Sequence, residues 1–153
     1  MLDIIVIADT SCLISLTKIR AIHFLKELYH DIFITEEIAS EFGEPLPDWI
    51  KVQSAKNKNY QKLLFIQLDK GEASAIALAF ELKNVLLILD DLKGRKEAEK
   101  LGFKITGTLG VLIKAKKTGL IKELKPYIET LLASGFRVSQ NIIDEILLKC
   151  NEN

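Results

Sequence analysis

The chain has 153 residues, a length that suits one domain, and its 21 basic and 21 acidic side chains give a formal net charge of +0. Apolar residues form 48% and charged residues 27% of the composition, which argues against a disordered chain. The zero net charge excludes a protein that binds nucleic acid through an overall basic surplus. A local basic patch remains possible, because the charge is unevenly distributed. Residues 1–90 hold 9 basic and 13 acidic residues, whereas residues 91–153 hold 12 basic and 8 acidic residues.

Signals of compartment and processing are negative. The two cysteines, Cys12 and Cys150, lie near opposite ends of the chain, so neither a disulfide framework nor a metal-binding cysteine pair is implied, and we expect both to be buried. No basic N-terminal region precedes a long apolar run, and no apolar run approaches the roughly 20 residues of a membrane span. We therefore expect a soluble, cytoplasmic protein with one domain over residues 1–153.

The first predicted elements are a strand and a helix. Residues 4–8 are apolar without interruption, as in a strand that is covered on both faces. Leu13, Leu16 and Ile19 then recur at helical spacing, which predicts a helix over residues 10–19. A strand followed by a helix is the first half of a βαβ unit.

The same alternation continues along the chain. A second buried strand is predicted over residues 85–89, and the alanine-rich run 73–79 predicts a helix that packs closely on a sheet. Pro126 marks a kink or a restart within a predicted helical stretch over residues 120–133. Alternating strands and helices predict an α/β fold with a parallel sheet. The other predicted elements are helices at 21–30, 35–42 (capped by Thr35), 93–101, 109–117 and 139–149 (capped by Ser139), two helices broken at 69–71, and short strands at 31–35 and 103–106.

Both predicted buried strands end in aspartate. Asp9 follows the first strand, and Asp90 with Asp91 follows the second. A single acid after a strand is a common turn residue, so each has little meaning alone. If the strands are parallel neighbours, however, these carboxylates converge at the sheet edge where α/β folds bind their ligands.

Two glutamates extend this acidic set. Glu41 falls in the last turn of the predicted helix 35–42, where the helix dipole disfavours an anion, so its placement points to a function. Glu72 falls at a helix start, where an acid is stabilising, so helix physics alone explains it. Convergent carboxylates repel one another, and a divalent cation relieves that repulsion. A ligand set of oxygens without His or Cys favours Mg²⁺ or Mn²⁺ over Zn²⁺, and such an ion can activate water for attack on a phosphodiester.

The ordered motifs resemble those of a PIN domain, over roughly residues 4–149. The likeness is greatest to an uncharacterised prokaryotic PIN-like subgroup, akin to VapC-type toxins and found beside small antitoxin-like partners. The segments that carry it are VIADTSCLISL, FITEEIASEFG, LDKGEASAIALAFEL, LLILDDLKGR and ITGTLGVLIKAKKTGLI. The resemblance implies a three-layer α/β/α sandwich with a central parallel sheet. It also implies a Mg²⁺- or Mn²⁺-dependent endoribonuclease, the toxin of a toxin–antitoxin pair, with RNA as substrate, a small antitoxin as partner and a homodimeric state.

The same likeness implies which residues form the site. Asp90 matches the more regular position of the subgroup, whereas Asp91 matches the spacing of the wider family, in which Thr or Ser replaces Leu89; both stay open. Ser11 corresponds to a polar residue that usually accompanies the first acid. The implied catalytic and metal-binding acids are Asp9, Glu41, Glu72 and either Asp90 or Asp91.

Basic residues after the aspartates are candidate substrate contacts. Lys93 and Arg95 would neutralise phosphates near the acidic centre, although a solvated helix face explains them equally well. Thr108 begins a predicted helix, where it would cap the helix or contact a phosphate through its backbone amide; we favour the cap. Trp49 or the last helix could supply the apolar contacts of a dimer.

Two alternatives to the nuclease hypothesis remain. The first is a non-catalytic PIN-like module that binds RNA or protein. The second is a phosphoacceptor domain of the receiver type, which also clusters acids at strand ends but carries its acid pair after its first strand.

Overall fold

The computed structural model describes residues 4–152, so the outermost residues of the predicted domain 1–153 lie outside the described part. Five short strands form one sheet, in which every adjacent pair is parallel and the spatial order is β3-β2-β1-β4-β5. The strands are β1 (Ile5–Ala8), β2 (Asp31–Ile34), β3 (Ile50–Val52), β4 (Val85–Ile88) and β5 (Lys104–Thr106).

Helices cover this sheet, so the predicted three-layer α/β/α sandwich with a central parallel sheet is confirmed. The helices are α1 (Thr10–Lys18), α2 (His23–Leu28), α3 (Glu36–Phe42), α4 (Lys58–Leu64), α5 (Lys70–Glu81), α6 (Leu92–Lys100), α7 (Thr108–Lys117), α8 (Lys125–Ala133) and α9 (Gln140–Lys149). None of the helices within residues 4–152 is long and apolar enough to cross a membrane.

The pairing of β1 with β4 sets the position of the acidic residues. The two strands are adjacent and parallel, with Ala8 opposite Ile88. The residues that follow them therefore leave the sheet at the same edge. The backbone amide of Asp9 donates a hydrogen bond of 3.0 Å to the carbonyl of Ile88, which extends the pairing by one residue.

Helix α5 is buried on every side. Each residue from position 71 to position 79 is buried, and the helix contacts β1 and β4 as well as helices α3, α4 and α6. The alanines predicted to pack on the sheet are among these residues, and their small side chains allow close approach on the opposite side of the helix too. A helix with no polar face is expected where neighbours surround it.

Two predicted features are wrong in detail. The predicted helix over 120–133 begins only at Lys125, with Pro126 in its first turn, because proline fits the start of a helix but not its interior. In α9, the helical spacing predicts Ile142, Ile143, Ile146 and Leu147 as the buried side. Ile143 and Leu147 are buried, but Ile142 is 47% exposed, so the buried face is narrower than predicted. Ser139 caps α9 as expected, through the amide of Ile142. Cys12 and Cys150 are both buried, also as expected.

We predict that the central strand β4 is a major source of stability. The side chain of Leu87 is completely buried, so Leu87→Ala should lower the free energy of unfolding by about 2–5 kcal/mol. Ile66 is 79% exposed, so Ile66→Ala should change it by about 0.5 kcal/mol or less. Urea denaturation followed by circular dichroism measures both, and equal losses would contradict this prediction.

Candidate functional site

A cleft of about 320 Å³ lies at the carboxyl edge of the sheet and is lined mainly by acidic side chains. It brings together four of the five candidate acids from the sequence and adds a fifth carboxylate, that of Asp69. The remaining candidate, Asp90, lines a neighbouring groove. The residues lining the cleft are Asp9, Thr10, Ser11, Ile14, Glu41, Asp69, Glu72 and Asp91.

Asp9 lies at the end of β1 and at the N-cap position of α1. Its side chain accepts no capping hydrogen bond from α1, and only 5% of the residue is exposed. A buried carboxylate that does not cap its helix is costly unless another group compensates for its charge. The charged form of the Asp9 carboxyl is therefore disfavoured where it lies.

Glu41 is held in the cleft by a neighbouring hydroxyl and by the way α3 is fixed. Thr10 donates a hydrogen bond of 2.8 Å from Oγ1 to Oε1 of Glu41. Thr35 caps α3 through the amide of Ile38, and its buried hydroxyl lies 2.6 Å from that of Ser74 in α5. These bonds attach the helix that carries Glu41 to the first turns of α5.

Gly71 allows α5 to approach these carboxylates. A Cβ atom at position 71 would collide with Oε1 of Glu41 and would lie 3.3 Å from Oδ1 of Asp9. The absence of a side chain leaves space for both oxygens in these positions, and a Cβ would displace the carboxylate of Glu41. The first turn of α5 thus forms one wall of the cleft.

Glu72 is fixed by a capping box at the start of α5. The amide of Glu72 donates to Oδ1 of Asp69 at 2.8 Å, and the amide of Asp69 donates to Oε1 of Glu72 at 3.3 Å. The residue is only 3% exposed, and a Cβ at Gly94 of α6 would lie 3.2 Å from Oε2. The third acid is consequently held between two helix starts.

Asp90 and Asp91 face different surroundings. Both carboxylate oxygens of Asp90 accept hydrogen bonds from Thr108, one from its amide at 2.8 Å and one from its hydroxyl at 2.5 Å. Asp91 caps α6 through one oxygen, Oδ2, which accepts from the amides of Lys93 and Gly94, and it lines the acidic cleft. The carboxylate of Asp90 is thus occupied by the start of α7, whereas that of Asp91 borders the other acids.

Burial and mutual repulsion raise the pKa of two of these carboxyls. The pKa of Asp9 rises from 3.8 to about 7, mainly through burial, with further contributions from the charges of Asp69, Glu41 and Asp90, against a lowering hydrogen bond from the Thr10 amide. The pKa of Glu72 rises from 4.5 to about 8, again mainly through burial and then through Asp69, Asp91 and Asp9.

The candidate substrate contacts have different environments. Ser11 and Lys93 are exposed, and Ser11 lines the cleft. Arg95 is half-buried, and its Nη1 donates a hydrogen bond of 2.8 Å to the carbonyl of Leu89. Thr108 is completely buried. The expected cap by Thr108 is wrong, because Gly107 is at the N-cap position of α7 and the Thr108 hydroxyl binds Asp90 instead.

The donor set suits a hard divalent cation. Every charged group that lines the cleft is a carboxylate, and the space beside Gly71 is one that a Cβ would fill. Within residues 4–152, no three His, Cys, Asp or Glu side chains are close enough to form a metal-binding cluster as they stand. The chemistry of the cleft therefore fits Mg²⁺ or Mn²⁺, and binding requires the carboxylates to move closer together.

A comparison with protein-family models matches residues 5–152 to the family described as "DUF3368: PIN domain". The chain belongs to this family. PIN domains are nuclease-type modules, and this membership disfavours the receiver-type alternative. A search of the curated proteins finds no match. The acid pair of this PIN domain follows β4 rather than β1, which also differs from the receiver pattern.

The sequence interpretation missed one acid of this PIN domain. The sequence pattern predicts Asp69 only as part of the break between two helices, yet Asp69 lines the cleft and orients Glu72. The available signal was the spacing: an aspartate three residues before a glutamate at a helix start is the pattern of a capping box.

We predict that this PIN domain loses stability as the pH rises in metal-free buffer. Asp9 and Glu72 have folded-state pKa values above their ordinary ones, so between about pH 4 and pH 8 the folded state binds more protons than the unfolded state. The free energy of unfolding should fall across this window, by on the order of 1 kcal/mol or more. Urea denaturation between pH 5 and pH 8 in the presence of EDTA measures this.

Asp9→Asn should reduce the slope, with the remainder due to Glu72, and it should be more stable than the wild type at pH 8, since position 9 then carries no charge to be buried. The matched control is Asp48→Asn, an exposed residue ahead of β3 at the opposite edge of the sheet, which should keep the wild-type slope. Stability that rises with pH over this range in the wild type would contradict the prediction.

Proposed function

We propose that this PIN domain is a divalent-metal-dependent endoribonuclease whose acidic cleft binds Mg²⁺ or Mn²⁺. The observation that supports this most directly is the convergence of five carboxylates in one cleft, two of them with strongly raised pKa values. Such a cleft is electrostatically unfavourable alone, and it is relieved by a cation. Membership of a nuclease-type family supports hydrolysis of a phosphodiester as the reaction.

Four carboxylates would hold the cation: those of Asp9, Glu41, Glu72 and Asp91. A bound Mg²⁺ or Mn²⁺ supplies an activated water and stabilises the leaving oxygen of the phosphodiester. The chain itself places the ligands: Thr10 orients Glu41, and Asp69 orients Glu72. Asp69 is thus a positioning residue in this proposal, although its own charge adds to the cleft.

We assign the fourth position to Asp91 and a structural role to Asp90. Asp91 has one carboxylate oxygen, Oδ1, that is not used in capping α6, whereas both oxygens of Asp90 bind Thr108. Asp90 still acts on the cleft indirectly, because its charge helps to raise the pKa of Asp9.

RNA would approach from the exposed side of the cleft. Ser11 is exposed and lines the cleft, so it is available to a phosphate next to the scissile bond. Lys93 is exposed two residues after Asp91 and lines a separate pocket, where it could contact a phosphate further along the strand. Thr108 has no free donor for such a contact, because its amide and hydroxyl both bind Asp90. We therefore remove Thr108 from the proposed substrate contacts and keep Ser11, Lys93 and Arg95.

The finer biological role is also proposed. The likeness to VapC-type toxins supports a toxin of a toxin–antitoxin pair that acts in the cytoplasm, with a small antitoxin as partner and a homodimeric state. For the dimer contact we favour α9, where Leu148 is 68% exposed, over Trp49, which is half-buried and packs against the core.

A non-catalytic PIN-like module that binds RNA or protein is the second candidate. It is favoured by one observation: in the described range, 4–152, the acids do not form a ready metal cluster. Isothermal calorimetry with MgCl₂ and MnCl₂ distinguishes the two, because the module requires no metal binding at millimolar concentration.

We predict that the wild-type protein cleaves single-stranded RNA with Mg²⁺ or Mn²⁺ and that Asp9→Asn lowers the rate by about 100-fold or more, since a ligand charge is lost. Gel assays measure cleavage, and differential scanning fluorimetry shows whether metal raises the melting temperature of the wild type more than that of the variant. Asp48→Asn is the control for charge. The nuclease proposal is abandoned if the wild type cuts no RNA with either metal, or if Asp9→Asn cuts it equally well.

Asp90→Asn and Asp91→Asn should have opposite effects on metal-induced stabilisation and on the free energy of unfolding. Asp91→Asn should abolish most cleavage and metal-induced stabilisation, while costing about 1 kcal/mol or less of stability because Asn also caps helices well. Asp90→Asn should lose about 1–3 kcal/mol, because it weakens charge-assisted bonds to Thr108, but it should keep metal-induced stabilisation. The reverse pattern would assign the metal to Asp90.

A further inference from the structure

A groove of about 550 Å³ adjoins the acidic cleft, with Asp90 in the groove and the next residue, Asp91, in the cleft. It runs along the carboxyl ends of β4 and β5, the start of α7 and the segment before α9. A strand of substrate that leaves the cleft past these two aspartates enters the groove directly.

The groove combines an apolar wall with unpaired guanidinium groups. The chain has three arginines, and two of them, Arg95 and Arg137, line this groove. Across residues 4–152, neither forms an ion pair with a carboxylate. Arg95 is fixed by its bond to the Leu89 carbonyl, and Arg137 is exposed. The apolar wall is formed by Ile105, Leu109, Phe136, Val138 and Ile142.

The carboxylate oxygens of Asp90 are hydrogen-bonded within the protein, and its single negative charge is outnumbered by the two arginines of the groove. Its carboxylate accepts the two bonds from Thr108 at the start of α7, where the helix dipole favours an anion. Gly107 leaves room for this arrangement, since a Cβ there would lie 2.7 Å from Oδ1 of Asp90 and 3.0 Å from Nη1 of Arg95. The charged residues that line the groove are therefore two arginines and one aspartate, and this net positive charge attracts an anion that enters the groove.

We propose that this groove binds a nucleotide of single-stranded RNA next to the scissile phosphate, with its phosphate on Arg95 and Arg137 and its base against Phe136. This inference rests on the proposed function of the cleft. Guanidinium groups bind phosphate oxygens through paired donors, and an aromatic face accepts an unstacked base. The groove also has the volume of a small-ligand site.

The occupant of the groove sets a requirement on the substrate. A base can reach Phe136 only if it is neither paired nor stacked within a helix, so the nucleotide beside the cleavage site has to be single-stranded. A bulge, a loop or an unpaired end meets this requirement, whereas a continuous duplex does not.

Binding to the full chain without cleavage tests the groove separately from the nuclease activity. The protein carries Asp9→Asn, the buffer contains EDTA, and fluorescence anisotropy follows a short fluorescein-labelled oligoadenylate at several salt concentrations. Adding Phe136→Leu, which keeps an apolar side chain against the core, should weaken binding about tenfold through lost stacking. Adding Arg137→Ala should weaken it similarly and lower the salt slope by about 0.7, while Arg137→Lys should restore the slope.

The matched control is Lys18→Ala, which removes one charge from the last turn of α1, away from the carboxyl edge of the sheet. It should leave the affinity within about twofold of the Asp9→Asn parent. A fully paired hairpin RNA should bind more weakly than oligoadenylate and should not respond to Phe136→Leu.

Two results overturn the groove proposal. The first is that the groove variants bind oligoadenylate as tightly as the Asp9→Asn parent, as expected if an apolar protein segment occupies the groove. The second is that the Asp9→Asn parent does not bind oligoadenylate. Neither result depends on cleavage. If the wild type cuts RNA but the groove variants bind normally, the nuclease proposal stands and the groove proposal fails. If the wild type cuts nothing but the groove variants bind weakly, the groove stands without the nuclease.

Discussion

The close approach of α5 to the carboxyl end of β1 is the contact on which the site depends. Glycine at position 71 leaves room for this contact, because a Cβ there would collide with the carboxylate of Glu41 and displace it. The approach places Glu72 and Asp69 beside Asp9 and buries Glu72 and Asp9, which raises the pKa of Asp9 to about 7 and that of Glu72 to about 8, while Asp69 stays exposed. The fold thus maintains a repulsion that a cation would relieve, and the buried packing of α5 supplies the free energy that this requires.

Asp90 and Asp91 are adjacent in the chain but have different roles, because they lie between the end of β4 and the start of α6. The carboxylate of Asp90 satisfies the start of α7, and Asp91 caps α6 while bordering the acidic cleft. Asp90 therefore lies in the groove and Asp91 in the acidic cleft. The groove beside the cleft can attract an anion although Asp90 lines it, because Arg95 and Arg137 outnumber that one negative charge.

Much of the fold could be predicted because its signals are local. Thr35 and Ser139 were identified as caps from their position before a helical pattern, and the unusual place of Glu41 followed from the helix dipole. The errors arose where packing overrides local pattern. Ile142 fits the helical period of the α9 core, yet it borders a groove and is 47% exposed, and residues 120–124 fit a helix that starts only at Lys125.

The sequence by itself determined the α/β alternation, the acids at the strand ends and the oxygen-only donor chemistry, because these depend on residue type and near-neighbour spacing. Only the tertiary structure decided that Asp69 joins the cleft, that Asp90 binds Thr108 and that Arg95 and Arg137 share a groove. Those outcomes depend on which strands are neighbours and how closely helices approach the sheet. Asp90 and Thr108 are hydrogen-bonded 18 positions apart in the chain, and Arg95 and Arg137 line one groove 42 positions apart. Both arrangements follow from packing and leave no local pattern in the sequence.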